Sequence, residues 1–223
     1  MKNIVAIVPA RKFDSQIEDK NILNFGGSNL LVHKIRQLKR VGDISRIIVT
    51  SDDSQYLELA RMEGAESHLR PKEYSDEKAE FGSFVEYIVK GIDSEHIVWA
   101  SPTSPLVDKG DFECAINIYF EKIGTDYDSL ISVEKITRHL LDSNGPLTFR
   151  FSESKRNLGL LPTLYRFTNG IVISPRKSML KWRYNWGLMP YQYELSGIKA
   201  VDICTMVDYK IARMLYTNPN GDL

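Results

Sequence analysis

Two cations stand near the start of the chain, in a stretch that reads NIVAIVPARKFDSQIEDKN from Asn3 to Asn21. Arg11 follows a short apolar run and Lys20 comes nine residues later. Such side chains neutralise phosphate oxygens, Arg through a planar fork and Lys as a point charge. Beside the C-terminal end of a buried parallel strand they would occupy the crevice in which open α/β sheets bind ligands. On these residues alone, a charged surface loop is the alternative. A second candidate loop, Ser101-Pro-Thr-Ser-Pro105, is stiffened by two prolines and offers hydroxyls to phosphate or sugar oxygens. Asp52 and Asp53 sit between a strand and a helix, where cap and first-turn acids belong rather than metal ligands. His33, His68, His96 and His139 share no metal-ligand spacing and read as structural or surface residues. Cys114 and Cys204 lack CxxC spacing and read as free thiols, Cys114 in the core.

The elements that must hold these groups alternate. Asn3–Val8 is a β-branched run without helical period, as in a strand buried on both faces, and Pro9 ends it. Leu30–Arg40 sets Leu31, Ile35 and Leu38 on one helical face, with Lys34, Arg36 and Lys39 elsewhere. Ser45–Thr50 is a second buried strand, and Gln55–Glu63 a helix closed by Gly64. A strand, a helix and a strand make a right-handed crossover and so a parallel sheet. Gly64–Leu69, His96–Ala100 and Ser129–Val133 continue the strands, and Phe81–Gly91 and Asp111–Lys122 the helices. Alternation lapses over 134–168, where Asn144-Gly145-Pro146 and Pro162 predict an insertion of irregular structure or hairpins. It resumes with strand Ile171–Ser174, a short helix at Ser178–Trp182, strand Lys199–Ile203, and helix Val207–Tyr216 capped by Thr205 or Asp208. The aromatic stretch Tyr184–Tyr193 reads as core or interface. The expectation is one α/β domain over 1–223, a mostly parallel sheet with helices on both faces and a small insertion.

Composition narrows the function. With 29 basic and 29 acidic side chains, net charge is zero, which excludes a general nucleic-acid or membrane-surface binder while permitting a local basic pocket. A hydrophobic content of 43% over 223 residues supplies a real core. No apolar run approaches a membrane span, no signal-peptide core opens the chain, and a cytoplasmic protein is expected.

Taken together, VPAR with KN ten residues on, SDDSQYLELARMEGAE, LRP, SPTSPL, ISVEK, TNGIVIS and VDICTMVD resemble the CMP-sugar cytidylyltransferases over roughly residues 3 to 216. The resemblance implies a Rossmann-like nucleotidyltransferase sheet and transfer of CMP from CTP to a 2-keto-3-deoxy, sialic-acid-like sugar acid for surface glycan synthesis. It also implies Mg2+ or Mn2+ as cofactor and a homodimer formed through the 134–168 insertion. Arg11 and Lys20 match the family's triphosphate ligands, Asn21 its base-contacting Asn, Arg70 the Arg near the cytidine, and Thr103 the Thr lining that pocket. Ser15 takes the place of a loop lysine among the nucleotide contacts. Arg156 is the nearest candidate for the sugar carboxylate, Asn169 and Gly170 match the pair facing the sugar, and Asp202 matches the first of two magnesium carboxylates.

Departures from the pattern fall at the expected centre. Lys12-Phe13-Asp14-Ser15-Gln16 replaces a glycine-rich phosphate loop, bringing the anion Asp14 towards the triphosphate, though Lys12 could reach back as a cation. Ser101 replaces a Gln, and Cys204 the second metal Asp, which a strand would have set on the face of Asp202. These changes leave open an alternative: a weak or silent member that acts as a nucleotide-binding regulator or partner subunit.

Overall fold

The computed structural model describes residues 3–76, 78–149 and 161–218. In chain order the strands are β1 (Ile4–Pro9), β2 (Asn24–Phe25), β3 (Ser28–Asn29), β4 (Ile44–Ser51), β5 (Glu66–Leu69), β6 (His96–Trp99), β7 (Ser129–Ile136), β8 (Leu141–Asp142), β9 (Gly145–Pro146), β10 (Leu164–Pro175) and β11 (Pro190–Glu194). The helices are α1 (Leu30–Leu38), α2 (Ser54–Met62), α3 (Phe81–Lys90), α4 (Lys109–Lys122), α5 (Arg176–Trp182) and α6 (Met206–Thr217). Among the described residues a seven-stranded sheet runs β11-β7-β10-β6-β1-β4-β5. β1 pairs in parallel with β4 and β6, whereas β10 is antiparallel to both β6 and β7.

The β-branched run of β1 is explained by its place at the centre of the sheet. Successive side chains point to opposite faces, and both faces are covered. Ile4, Ala6 and Val8 pack with Leu31, Ile35 and Leu38 of α1, Tyr56 and Ala60 of α2, and Phe112 and Ile116 of α4. Val5 and Ile7 pack with Phe84, Val85 and Ile88 of α3 and Met179 of α5. The chain leaves β1 towards β4 on one side and, after β5, returns through β6 on the other. The C-terminal ends of β1 and β6 therefore flank the point where strand order reverses, which is where such sheets bind ligands.

A small third cluster joins the loops around that point. Ile17 of the loop after β1, Leu106 of the loop after β6, Ile203 before α6, and Tyr209 and Ala212 of α6 share one apolar core with Phe25 and Leu30.

Three expectations are corrected. Lys199–Ile203 is not a strand: Gly197 (φ 57°) opens a 3-10 turn over Gly197–Ala200, and the extended residues beyond it make two isolated backbone bonds, Val201 N–H to Ile198 O at 3.2 Å and Ile203 N–H to Thr103 O at 2.8 Å, rather than a ladder. Lys34 lies on the packed face of α1 and is wholly buried. Cys114 is exposed rather than core. The segment Pro190–Glu194, given no element from sequence, is an edge strand parallel to β7, and Tyr191 and Tyr193 pack against the main core as expected.

The 134–168 stretch is partly regular. β7 and β10 extend together as antiparallel arms from Val133↔Phe167 out to Ile136↔Leu164, and β8 pairs with β9 as a small hairpin. Residues 150–160, which include Arg156, lie outside the described residues. Among the described residues no helix is long and apolar enough to cross a membrane.

Candidate active site

A cavity of about 400 Å3 opens at the reversal of strand order. Arg11, Lys20, Asn21, Arg70, Thr103 and Asn169 line it, so six of the residues chosen from sequence converge although they come from loops far apart in the chain. An aromatic wall of Tyr74, Phe81, Phe84 and Trp99 faces these polar groups, and Asn185 completes the lining. The aromatic residues of α3 carry no polar motif, and only their helical spacing could have pointed to them.

The loop after β1 is held by its own polar side chains. Asn21 Nδ2–H donates to Arg11 O at 2.9 Å, so this buried amide fixes the backbone that carries Arg11. Asp19 adopts a left-handed φ of 47° just ahead of Lys20, and Tyr56 Oη–H donates to its carboxylate at 3.1 Å. Asp14 Oδ2 lies 2.6 Å from Lys20 Nζ and 3.7 Å from Arg11. Its Oδ1 accepts the backbone N–H groups of Gln16 and Ile17, each at 3.1 Å. Burial works to raise the Asp14 pKa, but the Lys20 bond and the two N–H bonds outweigh it and the net direction is down. Lys12 turns away from the cavity to pair with Asp53 at 2.8 Å, while Asp53 caps α2. Ser15 is exposed and lines a neighbouring depression with Phe13 and Asp52 rather than the cavity.

Arg70, after edge strand β5, is 5% exposed. Its guanidinium lies 4.0 Å from the centre of the Phe84 ring and donates to Thr50 O at 3.3 Å. Among the described residues its buried Nε–H has no acceptor. Burial pushes its pKa down to about 10, so it remains cationic near neutrality, and the residue lines the cavity.

The loop after β6 meets the segment before α6. Thr103 Oγ1–H donates to Asp202 Oδ1 at 2.6 Å and Ser104 Oγ–H to the same oxygen at 3.3 Å, with Ser101 Oγ 2.8 Å from Thr103 Oγ1. Beneath this loop Lys34 Nζ donates to the carbonyls of Ser104 at 2.9 Å and Val107 at 3.4 Å. Burial pushes Lys34 down to about 7. It is a positioning residue that sequence reading assigned to the polar face, because its partners lie 70 and 73 residues away. Cys204 is exposed; burial and then the nearby charge of Asp202 push its thiol up, leaving it neutral. Asp208 caps its own helix through Thr205.

Asn169 is exposed at the cavity, and its carbonyl accepts Ser101 N–H at 3.3 Å. Gly170 does not line the cavity. A Cβ there would sit 3.0 Å from Val107 and 3.1 Å from Leu195, so any larger residue must push those side chains aside by a few tenths of an ångström, a packing role for the glycine.

Among the described residues no three His, Cys, Asp or Glu side chains gather as a metal site. The donor set still suits a hard cation shared with a ligand. Both hydroxyl bonds to Asp202 fall on Oδ1, which leaves Oδ2 to a cation, and magnesium commonly takes one or two carboxylates plus substrate phosphates.

Comparison with known proteins places this geometry in context. The residue profile of a family described as cytidylyltransferase matches residues 5–157. The chain is 27% identical to an N-acylneuraminate cytidylyltransferase of Escherichia coli O18:K1:H7 over 97% of its own length, and spans about half (53%) of that relative. It is 25% identical to a pseudaminic acid cytidylyltransferase of Campylobacter jejuni, with 97% of each chain covered. In fold it resembles a CMP:2-keto-3-deoxy-manno-octonic acid synthetase, with a TM-score of 0.71, 13% identity, and 98% of this chain and 100% of that one covered.

Proposed function

This chain belongs to the cytidylyltransferase family, and from that premise we propose that it transfers the cytidylyl group of CTP to a hydroxyl of a 2-keto-3-deoxy sugar acid, releasing pyrophosphate. Sequence relatives that act on N-acylneuraminate and pseudaminic acid support this acceptor class, and surface glycan synthesis is the use that fits it. The observation that carries the reading is the convergence of Arg11, Lys20, Arg70 and Thr103 on one cavity, with Asp202, which does not itself line it, bonded to Thr103.

The site's residues act by positioning and charge neutralisation, the main sources of rate in phosphoryl transfer. Arg11 and Lys20 meet the phosphate oxygens. Arg70, held against Phe84, offers its cationic fork to the nucleoside. Asn169 is poised for acceptor oxygens. The acceptor oxygen forms its bond to the α-phosphorus as the bond from that phosphorus to the bridging oxygen breaks. Pyrophosphate leaves and the hydroxyl proton is released. A divalent cation held by Asp202 and the phosphates would neutralise charge on the leaving group.

We also propose that the chain works as a homodimer through the arms of β7 and β10 and the β8–β9 hairpin. Leu141, Leu147, Tyr165 and Phe167 are exposed there, an apolar set that a second copy would cover. Light scattering at micromolar concentration should report twice the chain mass; a monomer contradicts this part.

The occupation of Lys20 and Arg11 by Asp14 favours a second reading, a nucleotide-binding member with little turnover. One assay separates the two: pyrophosphate release with each of the four nucleoside triphosphates, with and without magnesium or manganese, over a panel of sugar acids. Release with CTP, a divalent cation and an acceptor supports the transferase; CTP binding without release supports the second reading.

A further inference from the structure

Asp14 lines the cavity together with Lys20 and Arg11 and pairs with both. A bound phosphate oxygen is recognised by two kinds of donor, cationic side chains and backbone N–H groups exposed at a turn. In this chain the Asp14 carboxylate already engages both. Its Oδ2 faces Lys20 at 2.6 Å and Arg11 at 3.7 Å. Its Oδ1 takes the N–H groups of Gln16 and Ile17. The carboxylate is 11% exposed and Lys20 14%, so the pair is shielded from solvent rather than resting on the surface. The arrangement is also anchored, because Ile17 is buried in the cluster with Leu106, Ile203 and Tyr209.

We propose that Asp14 is an internal phosphate mimic that occupies the cations of the nucleotide site and sets the affinity of this chain for polyphosphate ligands. Nucleotide binding then becomes an exchange. Lys20 and Arg11 give up a carboxylate as they take a phosphate, and the net gain is smaller than two unengaged cations would provide. A triphosphate, which offers several oxygens, displaces Asp14 more readily than a monophosphate, so the residue also biases the site towards polyphosphates. Asp14 must swing aside, which its exposed neighbours Phe13, Ser15 and Gln16 do not resist, while Ile17 stays seated in its cluster. This inference rests on the nucleotide reading above and adds what limits it.

The test compares wild type, Asp14→Asn and Asp53→Asn by calorimetric titration with CTP, CMP and inorganic pyrophosphate. Asp14→Asn keeps an oxygen for the N–H groups of Gln16 and Ile17 and removes the charge. Asp53→Asn removes the same charge from the neighbouring Lys12 pair, outside the cavity, and controls for net charge. A second variant, Asp14→Ser, covers the case in which Asn leaves a bond to Lys20, and far-UV circular dichroism checks that each protein is folded. The expected result is about tenfold tighter CTP and pyrophosphate in Asp14→Asn, the order of one charge-assisted hydrogen bond, with a gain at least as large for CMP and none in Asp53→Asn. Equal affinities in wild type and both Asp14 variants overturn the inference while the nucleotide reading stands. Weaker binding in the Asp14 variants overturns it as well, since Asp14 would then assist the ligand. Absence of CTP and pyrophosphate binding in every protein overturns the nucleotide reading and this inference together.

Discussion

Thr103 and Asp202, 99 residues apart, meet through a 2.6 Å hydrogen bond from the threonine hydroxyl to the aspartate carboxylate. The bond ties the loop at the reversal of strand order to the entry of α6. Ile203 N–H, donating to Thr103 O at 2.8 Å, and Lys34, beneath the same loop, hold the pair in register. Asp202 is thereby placed by the fold and not by a strand of its own.

Thr103→Val removes the short bond at nearly constant volume. A hydrogen bond to a charged group contributes about 1.5–3 kcal/mol to the folded state, so the melting temperature should fall by about 3–12 °C, and kcat/KM should fall as Asp202 loses its short bond. Thr103→Ser, which restores a hydroxyl, should recover most of the loss. Steady-state kinetics of the three proteins provide the check, and an unchanged kcat/KM in Thr103→Val would show the bond to be dispensable.

Arg70→Lys keeps the charge and discards the planar fork stacked 4.0 Å from the centre of the Phe84 ring. Lysine does not reproduce that stacking or the planar fork's fixed donors. CTP affinity should drop by about tenfold or more, measured by titration, with a smaller change for inorganic pyrophosphate, which lacks the nucleoside.

Gly170→Ala tests a packing role against a ligand role. The added methyl would meet Val107 at 3.0 Å and Leu195 at 3.1 Å. Overpacking of this kind costs about 1–3 kcal/mol, which chemical denaturation should register. Binding of CTP to the protein that remains folded should be unaltered.

Lys34 should leave a signature in the dependence of stability on pH. Its folded pKa is pushed by burial to about 7, below the ordinary 10.5. Between these values the unfolded chain binds a proton that the folded chain does not, so the Lys34 contribution to stability rises with pH across that window and is flat outside it. Lys34→Met removes the contribution. The difference in unfolding free energy, wild type minus variant, should therefore increase from pH 7 to pH 10 by an amount on the order of a few kcal/mol. A difference that is constant with pH would contradict the assignment.

The sequence made the central sheet legible because its strands are short apolar runs bounded by turns, and the helices because their buried faces repeat. It also brought Arg11, Lys20, Arg70, Thr103 and Asn169 to one cavity. What it hid depends on partners distant in sequence. Lys34 reads as a surface lysine until the carbonyls of Ser104 and Val107 are folded over it. Val201–Ile203 has the composition of a strand, but it pairs with no strand, and its backbone N–H groups bond to Ile198 and Thr103 instead. Gly170 fits a ligand-facing motif, yet three side chains from separate elements close around it. The engagement of Lys20 by Asp14 was foreshadowed only as a stray anion in the loop.

The most direct test of the account is to incubate the protein with CTP carrying a labelled α-phosphate, magnesium, and each member of a panel of 2-keto-3-deoxy sugar acids, and to look for the cytidylyl ester by mass spectrometry. The account predicts a labelled CMP-sugar with at least one acceptor, equimolar pyrophosphate, and loss of both in Arg11→Ala and Asp202→Ala. Labelled product formed equally by wild type and Asp202→Ala, or no product with any acceptor despite CTP binding, would contradict it.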